Sequence, residues 1–389
     1  MQKLGVLGGT FDPIHEGHMA LAREALRCGG LDGVVFLPMA RPAHREAAAS
    51  AEDRMKMCAL ALAGNHRFLL SSAGGKAHVQ YTADTLLPLK KEFPRAALTL
   101  ILGADKLATL PYWRDADKLF SQCDFLCFPR PGVSPDAALE KAKSAGARIA
   151  MMPEFSTPYS ATLIRTQTAQ YQDAPGLNKR VLCYMAENGL YQPDLTPRLR
   201  SMMSPKRFQH TLGVRKEAVR LAAIHGLPIQ KAALAALLHD CAKGMNLKDM
   251  SRLAREQHLT ESEAVLSSGA LLHAPVGAYL AKKEFGIRDE EVLSAIRSHT
   301  VGRPGMSLLE MCIFVADATE EGREDYPGLK ELRALCGQSL PAAVYRSLEL
   351  TREYVEETGR TFDPASLDTM NYVEGLLTQK DKRLLADVR

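Results

Sequence analysis

The hydrophobic pattern of this 389-residue chain changes near residue 195, and this change restricts the folds open to it. Before that point, apolar runs such as "DGVVFLPM" and "ALTLILGAD" alternate with amphipathic stretches of helical spacing. Alternating strands and helices predict βαβ units and an α/β doubly wound, Rossmann-like parallel sheet. Beyond "QPDLTPRLRSMMSPKR", apolar residues recur every three or four positions, which predicts an all-α region. The sequence therefore predicts two domains, residues 1–193 and residues 194–389.

Composition narrows the classes of function. The chain is 46% hydrophobic and 24% charged with a net charge of +4, which is typical of a globular protein that tolerates anionic ligands. It has no basic stripe or aromatic platform, so we expect no nucleic-acid partner. It has no run of about 18 apolar residues and no signal-peptide pattern, so we expect no membrane association. The eight cysteines form no CxxC pair, which favours a cytoplasmic protein. The sequence does not determine the oligomeric state, so a homo-oligomer stays possible.

The stretch "GVLGGTFDPIHEGH" connects the first predicted strand to the first predicted helix. Gly8 and Gly9 let the main chain approach a ligand closely, and Thr10 offers a hydroxyl group. His15 and His18 lie where the helix begins, and the free N–H groups of a helix N-terminus favour an anion. Two imidazoles at this position can donate hydrogen bonds to phosphate and stabilise charge that develops during a reaction. The stretch therefore predicts a phosphate-binding turn.

This turn resembles the GxFDPxHxGH element of the nucleotidylyltransferase superfamily, and its detail is similar to bacterial nicotinate-nucleotide adenylyltransferases. The phrases "RPAHR", "YTADTL", "GADKLATLPYW" and "FPRPG" are similar to the same family. The resemblance implies that Gly8, Gly9, Thr10, Gly103 and Asp105 contact ATP. It also implies contacts with nicotinate mononucleotide from Arg45, Thr82, Trp113 and Arg130. Arg45 stands where the family usually has lysine, and Trp113 equally suits a half-buried core residue.

A second phrase, "YSATLIR", is similar to the family's phosphate motif Ile-Ser-Ser-Thr-x-Ile-Arg and departs from it at two positions. The polar residues that it keeps are Ser160, Thr162 and Arg165, and the resemblance gives all three to ATP. The implied reaction transfers AMP from ATP, bound with Mg²⁺, to nicotinate mononucleotide, giving deamido-NAD and pyrophosphate. His15, His18 and Arg165 are the implied catalytic residues. Adenylylation of another phosphate acceptor, such as phosphopantetheine, is the alternative.

The helical half carries a second set of chemically suggestive residues. The phrase "ALLHDCAKG" places an aspartate among apolar residues, where an unpaired carboxylate is costly. Histidine and aspartate recur along this half, at His210, His239, Asp240, His273, His299 and Asp317. A single histidine on an apolar helix face is usually a core residue, but the adjacent His-Asp pair favours a metal. Imidazole and carboxylate ligands suit Fe, Mn or Zn, and six of them suit two metals bridged by Asp240.

These six residues resemble the H…HD…H…H…D pattern of the HD superfamily of metal-dependent phosphohydrolases. The phrases "HDCAKG", "LLHAPVGAYLA", "AIRSHTVG" and "FVADATEEGRE" are similar to bacterial symmetrical dinucleoside-tetraphosphatases, which use a di-iron centre. The resemblance implies a catalytic role for Asp240, hydrolysis of diadenosine tetraphosphate to two ADP, and polyphosphate contacts from Lys243 and Arg323. The family commonly has Ile-Glu-Pro before that arginine, where this chain has Thr319-Glu320-Glu321-Gly322. Two alternatives stay open: a nucleotide-sensing regulatory module, or action on another phosphate ester.

Overall fold

The chain forms two compact units, described here from a computed structural model. The described residues are 2–40, 46–75, 81–129, 131–132 and 135–388. The first unit contains Met1–Thr168 and Ala174–Tyr184, and the second contains Ala169–Asp173 and Met185–Arg389. The short segment at 169–173 thus belongs to the second unit although residues of the first unit flank it on both sides.

A six-stranded sheet forms the centre of the first unit, and every neighbouring pair of its strands is parallel. The strands are β1 (Gln2–Gly9), β2 (Gly33–Pro38), β3 (Phe68–Leu70), β4 (Ala96–Gly103), β5 (Asp124–Phe128) and β6 (Ile149–Met151). Their order in the sheet is β3-β2-β1-β4-β5-β6. The central strands are apolar on both faces because parallel sheets of this class are covered by helices on both sides. The predicted doubly wound sheet is confirmed.

The order in which successive strands are added to the sheet reverses between β1 and β4. Strands β2 and β3 lie on one side of β1, and the later strands lie on the other. The helices of this unit are α1 (Glu16–Cys28), α2 (Ala51–Leu62), α3 (Thr82–Glu92), α4 (Ala116–Gln122), α5 (Asp136–Ser144) and α6 (Ala161–Ala169), and α7 (Lys179–Asn188) spans the boundary between units. In such sheets, ligands bind outside the carboxyl ends of the strands at this switch point. β1 ends at Gly9 and β4 ends at Gly103, so both predicted ATP-contacting segments lie at this edge.

The described part of the second unit contains helices and no strand. Its helices are α8 (Thr196–Ser201), α9 (Pro205–His225), α10 (Ile229–Leu238), α11 (Leu247–Glu256), α12 (Glu263–Leu266), α13 (Gly269–Phe285), α14 (Glu290–Ser298), α15 (Leu308–Thr319), α16 (Leu329–Cys336), α17 (Leu340–Glu357), α18 (Pro364–Leu376) and α19 (Gln379–Asp387). Helix α9 packs against α10 and α15, and α14 packs against α13 and α15. The predicted all-α region is confirmed.

Two further features bear on the expectations from composition. Across the described residues, none of the helices is both long and apolar enough to traverse a lipid bilayer. All eight cysteines are free. Burial raises the pKa of Cys58 and Cys241 to about 12, which keeps both thiols protonated and unreactive.

Candidate active sites

The turn between β1 and α1 presents main chain rather than side chains at its tip. Gly8 is exposed, and a Cβ atom there would meet no protein atom within 4 Å. At Gly9 a Cβ atom would lie 3.1 Å from the ring of Phe11, which itself has a φ of 48°. Because the space beside Gly8 is open, a ligand can approach the backbone there, as the sequence predicts.

Hydrogen bonds from main-chain N–H groups to Nδ1 fix the orientation of both histidine rings of the turn. His15 is the N-cap of α1, and its Nδ1 accepts a hydrogen bond from the N–H of Gly17 at 3.1 Å. Nδ1 of His18 accepts from the main-chain N–H of His15 at 3.2 Å. A neutral imidazole that accepts at Nδ1 carries its proton on Nε2. The ring centroids are 3.9 Å apart, so two Nε2–H donors lie together at the positive end of a helix.

The buried position of His15 predicts a pH dependence of stability. Burial lowers the pKa of His15 to about 4, whereas an unfolded histidine titrates near 6.5. Between these values the unfolded chain binds the additional proton, so the free energy of unfolding falls as the pH drops from 6.5 towards 4. Above pH 6.5 the contribution of His15 to the free energy of unfolding is constant. Thermal unfolding followed by the fluorescence of Trp113, the single tryptophan, reports on this unit. A His15→Asn variant with the same pH slope would contradict the assignment.

Asp12 connects this turn to the second predicted phosphate motif. Its carboxylate accepts hydrogen bonds from the N–H groups of Ala48 at 2.7 Å and Ala49 at 3.1 Å. Its main-chain carbonyl accepts from Nη1 of Arg165 at 2.6 Å. Arg165 therefore lies against the first motif although 153 residues separate the two partners. This role of Asp12 was not predicted from the sequence, since its position inside the motif indicates the role only indirectly.

The other polar residues of the second motif lie at the start of α6. Oγ of Ser160 accepts a hydrogen bond from the N–H of Leu163 at 3.2 Å and so caps the helix. Oγ1 of Thr162 accepts from Nη2 of Arg165 at 3.4 Å. Ser160 and Thr162 are exposed, so both hydroxyl groups are accessible to a ligand.

The remaining predicted residues of the first unit lie at several places around the sheet. Asp105 is exposed directly beyond β4, and a Cβ atom at Gly103 would lie 2.5 Å from its Oδ1. Thr82 is the first residue of α3. Trp113 is half-buried, packs against the apolar core and donates to Oγ1 of Thr109 at 3.3 Å. Arg45 and Arg130 lie outside the described residues.

In the second unit, five helices bring the six predicted metal ligands together. The carboxylate of Asp240, which is 2% exposed, lies at the centre. Its Oδ1 is 3.1 Å from Nε2 of His273 and 3.7 Å from Nε2 of His299, and its Oδ2 is 3.5 Å from Nε2 of His239. A second carboxylate follows the same pattern, because Oδ1 of Asp317 is 3.0 Å from Nε2 of His210 and 3.8 Å from Nε2 of His239.

Helix ends orient the histidine rings of this cluster. His239 and His299 directly follow α10 and α14, and each donates its Nδ1–H to a main-chain carbonyl three residues earlier, at 2.7 Å. This bond leaves the Nε2 lone pair available, the arrangement found at metal-ligating histidines. Nε2 of His239 is buried and has no hydrogen-bond partner in the part of the chain that the structure describes.

The charges of the cluster suit a cation. Burial by itself would raise the pKa of Asp240, but His239, His273 and His299 outweigh it and hold the pKa below its ordinary value. The pKa of Asp317 is likewise held below its ordinary value, because His210 above all outweighs the effect of burial. Burial lowers the pKa of His239 to about 4. The ionised carboxylates of Asp240 and Asp317 and the neutral imidazole of His239 are the protonation states in which such side chains bind metals.

Three cations surround the carboxylates. Nζ of Lys243 lies 3.9 Å from Oδ1 of Asp240, and Nη2 of Arg323 contacts Oδ1 of Asp317 at 2.6 Å. The third, Nη1 of Arg207 at 2.9 Å from Oδ2 of Asp240, was missed from the sequence. Its signal was available, because Arg207 precedes His210 by three residues and so lies on the same face of α9.

Comparison with known proteins identifies both halves. Residues 6–167 match the family described as Cytidylyltransferase-like, and residues 207–322 match the HD domain. A Mycoplasma genitalium protein named "Probable nicotinate-nucleotide adenylyltransferase/Ap4A hydrolase" is 28% identical over 92% of this chain and 99% of its own length. A symmetrical bis(5'-nucleosyl)-tetraphosphatase of Halalkalibacterium halodurans is 42% identical over 46% of this chain and 93% of its own. A probable nicotinate-nucleotide adenylyltransferase of Gloeobacter violaceus is 36% identical over 49% of this chain and 96% of its own.

The chain belongs to the nicotinate-nucleotide adenylyltransferases through its first half and to the symmetrical bis(5'-nucleosyl)-tetraphosphatases through its second half. The two resemblances predicted from the sequence are therefore confirmed, one for the adenylyltransferase domain and one for the HD domain. The chain matches the Mycoplasma genitalium relative over nearly its whole length, so this pairing of domains occurs in that relative as well.

The HD domain binds divalent metal, and its side chains fit one. Two groups of three ligand atoms lie within 4.8 Å of one another: those of His210, His239 and Asp317, and those of His239, Asp240 and His299. His239, whose buried Nε2 has no hydrogen-bond partner among the described residues, belongs to both groups. A buried lone pair without a donor is costly, and a cation at this position removes the cost.

Glu320 is a third residue, after Asp12 and Arg207, whose role was not predicted from the sequence. It is 3% exposed, its Oε1 lies 3.1 Å from Nδ1 of His210, and its Oε2 accepts from the N–H of Gly322 at 2.6 Å. Burial lowers the pKa of His210, but its contacts with Asp317 and Glu320 outweigh burial and raise the pKa. Glu320 therefore orients the ring of His210 through Nδ1, on the side opposite the Nε2 atom that faces Asp317. Its signal in the sequence is its position one helical turn after Asp317.

We expect Glu320→Gln to weaken metal binding about 10- to 100-fold, because partners of this kind orient the ligand and raise its basicity. Competition between the protein and a chelator for Mn²⁺ measures the affinity. Glu321→Gln is the matched control, since the neighbouring Glu321 forms an ion pair with the exposed Lys216. Equal affinities for the two variants would show that Glu320 does not support the site.

Proposed function

We propose that this chain is a bifunctional enzyme. Its first domain, residues 1–193, transfers AMP from ATP to nicotinate mononucleotide, and its second domain, residues 194–389, hydrolyses diadenosine tetraphosphate symmetrically. The paired Nε2–H donors at the switch point of the sheet support the first activity. The cluster of six ligands around Asp240 and Asp317 supports the second. The eight free cysteines favour action in the cytoplasm.

In the adenylyltransferase domain, catalysis rests on positioning and on stabilisation of charge. The neutral rings of His15 and His18 donate Nε2–H bonds to ATP phosphate oxygens, where negative charge develops as the phosphate of nicotinate mononucleotide attacks. Arg165, together with Ser160 at the start of α6, binds the departing pyrophosphate. Mg²⁺ bound with ATP supplies further charge neutralisation. Asp12 keeps the two motifs at a fixed separation, so the donors need little rearrangement during the reaction.

In the HD domain, the six clustered side chains would hold two divalent metals, which we propose to be Fe, with Mn or Zn as alternatives. When bound there, such metals would supply Lewis-acid polarisation of the phosphate and of the attacking water. Arg207, Lys243 and Arg323 line the carboxylates and bind the polyphosphate chain. Burial lowers the pKa of Lys243, although Asp240 partly offsets this effect.

One incubation tests the hydrolase. Anaerobically purified protein of known metal content is incubated with diadenosine tetraphosphate, and the nucleotides are separated by chromatography. ADP as the single product supports the proposal, whereas AMP with ATP would mean asymmetric cleavage. The absence of turnover with metal bound would favour the sensor alternative or another phosphate ester.

A panel of acceptors tests the transferase. The protein is supplied with ATP, Mg²⁺ and either nicotinate mononucleotide or phosphopantetheine, and pyrophosphate release is measured. We expect pyrophosphate release when the acceptor is nicotinate mononucleotide and none when it is phosphopantetheine. The product is then left with the enzyme, because we expect the HD site to require more than the two phosphates of deamido-NAD. Loss of deamido-NAD over time would contradict that expectation.

A further inference from the structure

Arg54 is the largest fully buried side chain in the described part of the chain, and its surroundings are unusual for a charged group. It lies on α2 and is 1% exposed. Arginine is seldom buried to this degree unless its donors are satisfied. The proposed transferase mechanism assigns it no task.

Four hydrogen bonds from Arg54 go to main-chain carbonyls. Nη1 donates to the carbonyl of Thr10 at 2.8 Å and of Met39 at 2.7 Å, and Nη2 donates to that of Ala40 at 2.9 Å. Nε donates to the carbonyl of Ala49 at 3.3 Å. Thr10 follows β1, Met39 and Ala40 follow β2, and Ala49 precedes α2. One guanidinium thus joins three chain segments at the ligand-binding edge of the sheet.

We propose that Arg54 is a positioning residue for adenylyl transfer, which holds the phosphate-binding turn at a fixed separation from the end of β2. This inference rests on the proposed transferase function. The carbonyl of Thr10, one of the two that Nη1 binds, belongs to the turn that leads to His15 and His18. A shift of this turn moves both Nε2–H donors away from the phosphates, and displacements near 1 Å can lower a rate about a hundredfold. Lysine keeps the charge but lacks the planar fork that reaches carbonyls in several directions.

Arg67, which is exposed, provides a control that makes similar hydrogen bonds at the opposite edge of the same sheet. Its Nη2 donates to the carbonyl of Leu31 at 2.9 Å and its Nε to that of Asp32 at 3.3 Å, just before β2 begins. Arg67 therefore also donates to more than one main-chain carbonyl, but it does so at the amino ends of the strands, away from the phosphate-binding turn. Arg54→Lys and Arg67→Lys make the same chemical change at the two edges.

The experiment compares both variants with the full-length wild type. Calorimetric titration with the α,β-methylene analogue of ATP counts competent nucleotide sites, and kcat for transfer to nicotinate mononucleotide is expressed per site. Hydrolysis of diadenosine tetraphosphate by the same samples checks the other domain. For Arg54→Lys we expect kcat per site to fall about tenfold or more, with analogue affinity within threefold of wild type. For Arg67→Lys we expect kcat within twofold of wild type.

Three results would overturn the inference. The first is an unchanged kcat per site in Arg54→Lys, and the second is an equal loss in both variants. The third is the absence of nucleotide sites at 10 °C in both Arg54→Lys and Arg54→Gln, which would make Arg54 a residue of stability alone. A wild type that binds the analogue but transfers no AMP to nicotinate mononucleotide would instead refute the proposed function.

Discussion

Replacing Asp240 with asparagine is expected to abolish most of the hydrolysis of diadenosine tetraphosphate while leaving adenylyl transfer intact. The substitution keeps the shape of the side chain and removes the charge that faces three imidazoles and the guanidinium of Arg207. We expect the hydrolytic rate to fall by about 10²- to 10³-fold, the usual effect of losing one charge-stabilising group from an active site. Chromatography of the nucleotides measures the rate.

Metal content provides an independent readout for this variant. Elemental analysis of Asp240→Asn is expected to show loss of bound divalent metal, since an amide oxygen is a much weaker ligand than a carboxylate. Asp249→Asn is the control, because Asp249 pairs with the exposed Arg252 on α11. If Asp240→Asn kept both its metal and its hydrolytic rate, the centre of the cluster would have been assigned wrongly. If only the metal were lost, with no hydrolysis in the wild type, the sensor alternative would gain support.

The second large effect concerns the histidine pair of the adenylyltransferase domain. His18→Ala removes one Nε2–H donor, and we expect kcat for adenylyl transfer to fall about 10²- to 10³-fold. His15→Asn is expected to cause a similar loss for a separate reason. Asparagine can still cap α1, because it is a favoured N-cap residue, but it cannot supply a donor where Nε2 of His15 lies. The His15→Asn variant therefore distinguishes the role of His15 as the N-cap of α1 from its role as a hydrogen-bond donor to phosphate.

The same protein samples contain the controls for these substitutions. Hydrolysis of diadenosine tetraphosphate by the HD domain should stay within twofold of wild type in both variants. His66→Ala, at an exposed histidine of the first domain, should leave both activities unchanged. Transfer rates near wild type in His18→Ala would show that the second imidazole is not a phosphate ligand. A loss confined to His15→Asn would then leave His15 as the one catalytic histidine of the turn.

Much of the fold and of both sites followed from local features of the sequence. Strands and helices differ in hydrophobic period, so the change near residue 195 was sufficient to predict a parallel sheet followed by helices. The phosphate turn is also local, since Gly8, His15 and His18 act through one strand-to-helix connection. The metal ligands were recognisable because an aspartate beside His239 among apolar residues requires a partner.

The tertiary structure alone decided which distant groups support those residues. Asp12 meets Arg165 across 153 positions, and Glu320 meets His210 across 110. Local spacing carries no information about such pairs, because they depend on how strands and helices pack. The tautomers of the histidines were undetermined for a different reason: each is set by a main-chain partner two or three residues away, and only the local geometry at the helix end shows which ring nitrogen that partner contacts. Arg54 is the extreme case: its sequence context is an ordinary helix, and its burial among carbonyls arises only when β1, β2 and α2 assemble.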